Sequence, residues 1–235
     1  MLHRLLPLLC AVSALTAAEP VALFSGKDLS GWATPTGTWS AVLSVIVDPA
    51  NPKTFLATQG TGVLLNSAAA KTVNAVTAAE FGDCQLHVEF CVPKDSNSGV
   101  YLQGRYEVQV LDSFGKPNPG VHDCGAIYER WNNTTSKGFE GRAPALNASK
   151  PPGEWQSFDI TFRAPRFDSE GKKTANACFL KVLHNGQLVH ENVEVTGPTR
   201  SAKFTDEKPL GPVLLQGDHG AVAYRNLTLT PLSLP

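Results

Sequence analysis

The sequence has little charge and no excess of either sign. Only 17% of its 235 residues are Asp, Glu, Lys or Arg, and the formal net charge is -1. Globular proteins usually carry about 25% of these residues. No basic stripe is present to neutralise phosphates, which argues against a nucleic-acid-binding protein.

Several motifs of well-defined chemistry are also absent. The chain contains no GxSxG, P-loop or GxGxxG motif, so serine-hydrolase, nucleotide and dinucleotide chemistry lack their usual sequence support. No CxxC or HxxxH spacing is present, which disfavours a structural zinc site. No segment is dense in oxygen ligands, so we predict no cofactor; Ca²⁺ stays an option without a clear ligand loop.

Long apolar runs are missing except near the N-terminus. Residues 1–18 combine Arg4, an apolar run and small residues at 16–18, the layout of a secretory signal peptide. The run is too short to span a membrane comfortably. We therefore predict a secreted or periplasmic protein with no membrane span after signal removal. A buried N-terminal helix fits less well, as does a lipoprotein anchor at Cys10, because leucines precede that cysteine.

Cysteine is sparse in the predicted mature chain. The four that remain are Cys84, Cys91, Cys124 and Cys178, an even number that permits two disulfides without requiring them. Seven positions separate Cys84 from Cys91 on one predicted strand. They should therefore face opposite sides, too far apart to pair with each other.

Short β-type runs bounded by Gly, Pro, Asn or Asp make up most of the chain. They include residues 84–92, 99–104, 105–112, 157–164, 177–186, 188–195, 211–217 and 222–232. The sequence His184-Asn185-Gly186-Gln187 predicts a hairpin turn, since Asn-Gly favours the positive φ angles that such turns need. This pattern predicts an all-β antiparallel sandwich or barrel, formed as one domain over residues 19–235.

One long segment, residues 113–155, interrupts the strands and is rich in Gly, Pro and Asn. Loops of this length in compact domains are usually functional or disordered, and two clusters favour function. His122 and Asp123 form one cluster, and Tyr128 and Trp131 belong to the other. Trp131 is the tryptophan that we expect to stack on a sugar ring.

A row of polar groups lies within SNSGVYLQGRYEVQVLDS, residues 96–113. If strand alternation persists through Gly104, one face carries Tyr101, Gln103, Arg105, Glu107 and Gln109. A turn or bulge at Gly104 would break this phase. The row is either an ordinary solvated face or a surface that binds a hydroxyl-rich ligand. In the second case, a charge-assisted hydrogen bond between Arg105 and Glu107 would fix the geometry of both side chains.

A second carboxylate, Glu89, lies on the predicted strand 84–92 beside His87. If that strand neighbours the polar row, Glu89 could approach Glu107, and the pair could serve as general acid and base. Two surface glutamates that never meet are the alternative. Near the C-terminus, His219 is flanked by glycines in Gln216-Gly217-Asp218-His219-Gly220, where it could act as a base, a hydrogen-bond donor or a metal ligand.

Five segments occur in an order that resembles a known family. They are LFSGKDLSGW, NSGVYLQGRYEVQVLDS, PPGEWQSFDITFRAPRFDSEGKK, HNGQLVHENVEVTGPT and LLQGDHGAVAYRNLTLTPL. Together they resemble the domain of unknown function 1080 family, the 3-keto-disaccharide or 3-keto-glycoside hydrolases, over nearly all of the predicted mature chain. The resemblance implies a two-sheet jelly roll of the concanavalin A-like lectin/glucanase type and a carbohydrate substrate. It also places Asp112 and Gln216 among the substrate-binding residues.

The implied chemistry begins at a sugar whose C3 carries a ketone, which makes the C2 proton acidic. A base removes that proton and the C1 aglycone leaves by elimination, after which water adds to the enone. The resemblance assigns Glu107 as base, or Glu89 if geometry prefers it, and His219 as acid or orienting group. Arg105 and Gln109 would support the enolate oxygen.

Three other functions remain open from the sequence. An ordinary glycosidase would use two carboxylates. A non-catalytic carbohydrate-binding module could share the same fold, and a secreted structural domain would have no polar site.

Overall fold

Residues 18–67 and 72–234, which this computed structural model describes, form sixteen β-strands and no α-helix. The predicted signal peptide lies outside these residues, apart from its last position. In chain order the strands are β1 (Val21–Ala22), β2 (Ser40–Asp48), β3 (Asn51–Asn66), β4 (Ala75–Phe81), β5 (Cys84–Cys91), β6 (Asn97–Leu102), β7 (Tyr106–Leu111), β8 (Arg130–Asn132), β9 (Lys137–Phe139), β10 (Gln156–Arg163), β11 (Arg166–Phe167), β12 (Lys173–Ala175), β13 (Ala177–His184), β14 (Gln187–Val195), β15 (Gly211–Leu215) and β16 (Val222–Pro231).

Two antiparallel sheets make up the body of the fold. The larger sheet has the order β14-β13-β10-β5-β16-β3-β2, with β1 paired to β16, and the smaller has the order β4-β15-β6-β7. The pairs β11–β12 and β8–β9 form separate two-stranded ribbons. The prediction of a two-sheet antiparallel jelly roll is confirmed, and the barrel that the strand pattern left open is not formed.

The core lies between the two sheets, and strand alternation explains which residues enter it. In the polar-row segment, the even-numbered side chains are buried: Val100, Leu102, Tyr106, Val108 and Val110. Across the interface, the Tyr106 ring lies 5.5 Å from that of Phe162 on β10. Full burial of an aliphatic or aromatic side chain stabilises a fold by about 1.5–3 kcal/mol, so this pattern fixes which face of β6 and β7 points outward.

Two hairpin turns take the backbone conformation that glycine and asparagine favour. Asn185 and Gly186 have φ values of 51° and 76° and join β13 to β14, as their sequence predicts. Gln103 and Gly104 have φ values of 55° and 63° and join β6 to β7. The polar row is therefore two antiparallel strands with a turn between them.

The described cysteines are all buried and unpaired. Cys84 belongs to the core between the sheets, whereas Cys91 packs in a separate apolar cluster with Val42, Phe55 and Leu65. The prediction that Cys84 and Cys91 face opposite sides is confirmed. In the described part of the chain, no helix is long and apolar enough to cross a membrane.

Candidate functional site

The β6–β7 hairpin places three members of the polar row on the outer face of the smaller sheet. Tyr101 lies directly opposite Glu107 in the strand register, and Gly99 lies opposite Gln109. Their apolar neighbours point into the core, so these side chains must point outward. Tyr101, Glu107 and Gln109 each keep 3% or less of their accessible surface. A solvated sheet face would not bury them in this way.

Gly99 creates the space that the Glu107 carboxylate occupies. A Cβ atom at position 99 would lie 2.1 Å from Glu107 Oε1 and 3.0 Å from Cε2 of Tyr101. Real Cβ atoms essentially never approach other heavy atoms this closely. Glycine at this position therefore allows the carboxylate to lie against the backbone of the neighbouring strand.

These residues line a pocket that encloses about 200 Å³. Its lining combines polar and aromatic groups from two strands and three loops: Asn97, Tyr101, Glu107, Gln109, Tyr128, Arg200, Ser201, Gln216 and His219. Glu107 is the one carboxylate among them, and Arg200 is the one guanidinium.

The surroundings of Glu107 favour its neutral form. Burial raises the pKa of this carboxyl to about 8; a hydrogen bond from Tyr101 acts in the opposite direction, and the nearby negative charge of Asp218 adds to the rise. Burial, together with Glu107, also raises the pKa of Tyr101 and that of Tyr128. A carboxyl that titrates near neutral pH suits general acid or base work.

The loop that carries Arg200 and Ser201 is fastened to the same hairpin. Thr199 donates from its backbone N and its Oγ1 to the carbonyl of Arg105, at 2.9 and 3.0 Å. The Glu107 N–H donates to Thr199 Oγ1 at 3.2 Å. Thr199 therefore fixes the loop that carries Arg200 relative to the strand that carries Glu107, the candidate base.

Gln103 and Arg105 do not reach the pocket, because they belong to the turn. Gln103 donates from Nε2 to the carbonyls of Phe81 and Pro209. Arg105, 2% exposed, donates to the Asp206 carbonyl and to Asp206 Oδ1 at 3.0 Å. The expected pairing of Arg105 with Glu107 is absent, since alternation ends at the turn, and Arg105 cannot support an enolate from this position.

Glu89 lies far from the pocket, on the outer face of the larger sheet. Its carboxylate accepts from Arg225 Nε at 2.6 Å and from Asn226 Nδ2 at 2.7 Å. Although burial acts to raise the pKa of Glu89, these hydrogen bonds outweigh it and lower that pKa. The expected approach of Glu89 to Glu107 fails because β5 and β7 belong to different sheets.

His219 lines the pocket beside Asp218, at the end of β15. Its Nδ1 lies 2.5 Å from Asp218 Oδ1, and both side chains are about half exposed. A carboxylate on one ring nitrogen fixes the orientation of the other. Gln216, also predicted as a ligand residue, lines the pocket and is 7% exposed.

The long loop, residues 113–155, contributes one residue directly to the pocket. Its stretch 125–128 runs beside β7, and the Tyr128 N–H donates to the Glu107 carbonyl at 3.0 Å, which directs Tyr128 to the pocket. His122 is exposed and packs its ring 5.2 Å from that of Tyr128. Trp131, on β8, stacks 3.9 Å from the Arg200 guanidinium and lines a neighbouring cavity of about 390 Å³.

Two predicted binding residues instead hold loop structure. Asp123 is buried, and its carboxylate accepts from Lys116 Nζ at 2.8 Å and from the Gly120 N–H at 2.5 Å. Asp112 accepts from the backbone N–H of Asp95 at 3.0 Å. Short polar side chains commonly stabilise turns in this way, and neither residue lines the pocket.

Sequence reasoning missed three lining residues: Asn97, Arg200 and Ser201. Asn97 is the first residue of β6 and precedes the alternating polar row, which begins at Tyr101. Arg200 and Ser201 lie in a polar stretch without strand periodicity, and no local signal marks them. Among the described residues, no group of three or more His, Cys, Asp or Glu side chains is arranged to hold a metal ion.

The arrangement can abstract a proton and stabilise the negative charge that results. Glu107 supplies a desolvated carboxyl, while Arg200, Tyr128 and Ser201 supply hydrogen-bond donors from other sides of the pocket. Donors that the fold holds in place stabilise developing charge without the reorganisation that water requires.

Comparison with known proteins identifies relatives of the whole domain. A family model described as 3-keto-alpha-glucoside-1,2-lyase-like domain matches residues 19–230. A crystal structure from Parabacteroides distasonis ATCC 8503, of a protein provisionally described as a glycosyl hydrolase, is 29% identical with a TM-score of 0.68. That match covers 91% of this chain and 84% of the other.

A second protein from the same organism, with the same provisional description, is 21% identical with a TM-score of 0.59. The match covers 91% of this chain and 100% of the other, and at this identity it shows a shared fold alone. The comparison with curated proteins gave no match.

Proposed function

Because the chain belongs to the 3-keto-alpha-glucoside-1,2-lyase-like family, we propose that it cleaves 3-keto-glycosides by proton abstraction and elimination. The family is one of carbohydrate-active, hydrolase- or lyase-like proteins. The observation that carries the finer proposal is the single pocket carboxylate, Glu107, whose pKa burial raises to about 8.

The first step is removal of the C2 proton by the Glu107 carboxylate. The electron pair of the broken C–H bond moves into an enolate whose charge lies on the C3 oxygen. Arg200 and Tyr128 donate to that oxygen, a role for which Arg105 lies too far away. A base with a raised pKa binds the abstracted proton more strongly, which favours this transfer.

In the second step the enolate re-forms the C3 ketone and the bond from C1 to the aglycone oxygen breaks. The product on the sugar is a C1–C2 alkene conjugated with the ketone. The leaving oxygen takes a proton from His219, which Asp218 orients. Water then adds at C1, so the net reaction is hydrolysis, and release of the alkene without water would be a lyase reaction.

An ordinary glycosidase is the second candidate, and the pocket supports it less well. That chemistry needs two carboxyl groups on either side of the glycosidic bond. In the described part of the chain, Glu107 is the only carboxylate in the pocket lining, and Asp218 is engaged with His219. Elimination needs one base and several donors, which matches the lining.

A non-catalytic carbohydrate-binding module is the third candidate. Binding modules hold sugars on exposed aromatic rings, and they gain nothing from a buried carboxyl that resists ionisation. Burial of Glu107 beside Tyr101 costs stability, which supports a catalytic use of this group.

The signal-like N-terminus supports a secreted or periplasmic location for the enzyme.

The test is release of aglycone from a 3-keto-glucoside and from the matching unoxidised glucoside. We expect cleavage of the keto sugar alone by the wild type and its loss in Glu107→Gln. Glu89→Gln is the matched control, since it removes a glutamate from the opposite sheet, and it should retain activity.

Cleavage of the plain glucoside would identify an ordinary glycosidase. Sugar binding without cleavage of either compound would make the binding module the better assignment.

A further inference from the structure

Two amide oxygens in the pocket have no protein partner. Asn97 Oδ1 and Gln216 Oε1 are each buried and accept no hydrogen bond from any described residue. Both side chains line the same pocket as Glu107. A buried acceptor that stays unpaired costs about 1–3 kcal/mol, so native proteins rarely keep two in one place without a use.

The backbones of both residues are fixed, so the amides cannot easily turn elsewhere. The Gln216 N–H donates to the Gly99 carbonyl at 2.9 Å, and Ser98 Oγ donates to the Gln216 carbonyl at 2.7 Å. Asn97 lies opposite Leu111 in the β6–β7 register. The uncommitted parts are the amide groups themselves, which β6 and the residue that directly follows β15 present to the pocket.

We propose that Asn97 and Gln216 determine specificity by accepting hydrogen bonds from two free ring hydroxyls of a single sugar unit. An acceptor needs a donor, and a sugar hydroxyl supplies one, whereas an ether or carboxylate oxygen does not. The pocket volume of about 200 Å³ is below the 300–1,000 Å³ of sites for drug-sized ligands. One ring therefore lies inside, and the aglycone extends outward.

This inference rests on the proposed function only in taking the ligand to be a sugar, and binding tests it separately from cleavage. The probes are methyl 3-keto-glucoside and its three analogues that lack the hydroxyl at C2, C4 or C6. Calorimetry measures their dissociation constants in the Glu107→Gln background, which prevents turnover by the proposed base.

We expect two of the three deoxy analogues to bind about 10- to 100-fold more weakly than the parent, because each leaves one amide oxygen unpaired. Gln216→Ala should abolish the penalty for one analogue and Asn97→Ala the penalty for the other. Gln187→Ala, at the exposed β13–β14 hairpin, is the control and should keep both penalties.

If both alanine variants keep the full set of penalties, or if all three deoxy sugars bind like the parent, the proposal is wrong. Release of methanol from methyl 3-keto-glucoside by the wild type separates the two ideas. Hydroxyl discrimination in the binding series without this release would uphold the amide roles and overturn the keto-sugar chemistry. Elimination without hydroxyl discrimination would do the reverse.

Discussion

The burial of Glu107 predicts a pH-dependent stability difference between the wild type and Glu107→Gln. The carboxyl has a pKa of about 8 in the folded state and an unperturbed value of 4.5. With a raised pKa, its contribution to stability is fully present below 4.5 and is lost as the pH rises through 8. Glutamine stays neutral throughout, so the variant does not suffer this loss.

The magnitude follows from the two pKa values. Linkage gives a cost to the folded wild type of about 1 kcal/mol at pH 5 and about 4 kcal/mol at pH 8, relative to a group that never ionises. The stability difference should therefore grow by about 3 kcal/mol over this range, as an upper bound, because water in the open pocket solvates the carboxylate. For a domain of this size, that corresponds to roughly 6–12 °C in melting temperature.

The assay is thermal or urea unfolding of both proteins from pH 5 to pH 9. Glu89→Gln is the control with the opposite sign: the pKa of Glu89 is lowered, so its contribution is constant above pH 6 and is lost only as the pH falls. A difference between wild type and Glu107→Gln that does not change with pH would show that the Glu107 carboxyl is as well solvated as in the unfolded chain. The assignment of a desolvated base would then fail.

Three further predictions concern the same carboxyl. In Asp218→Asn, removal of a negative charge lowers the pKa of Glu107, so the rise of kcat/KM with pH on a keto-glucoside should shift to lower pH; an unchanged profile would contradict this. In Tyr101→Phe, loss of the hydrogen bond to the carboxylate raises that pKa, and the same kinetic profile should shift to higher pH, opposite to Asp218→Asn. Gly99→Ala should displace the Glu107 carboxylate and lower kcat/KM roughly 100-fold. Gly120→Ala is the control and should keep its activity, because the added Cβ would meet only Asp123 Oδ2 at 3.5 Å. Equal effects in the two variants would refute the close-contact argument.

The sequence carried enough information for the fold and for the outer face of the hairpin. Period-two alternation assigned Val108 and Val110 to the core and Glu107 and Gln109 to the outside, and both assignments hold in the structure. The Asn185-Gly186 turn was equally clear, because its residues have an intrinsic preference for positive φ. Both signals depend only on residues that are close together in the chain, so a single sequence is enough to predict them.

The errors in the site prediction come from long-range pairing. Glu89 and Glu107 each lie on a strand with a polar face, but nothing in either strand specifies which sheet it joins. Residues 75–80 are rich in alanine, yet they form part of β4, because pairing with β15 overrides the helix propensity of alanine. Arg200 reaches the pocket through Thr199, a contact that spans 92 positions.

That contact has a consequence for engineering. Thr199 ties the segment from 199 to 203 to the Arg105 carbonyl and the Glu107 N–H, and the backbone N–H of Lys203 donates to the Gly104 carbonyl at 3.0 Å. A designer who exchanges this segment as if it were a variable surface loop would also move the carboxylate on the neighbouring strand.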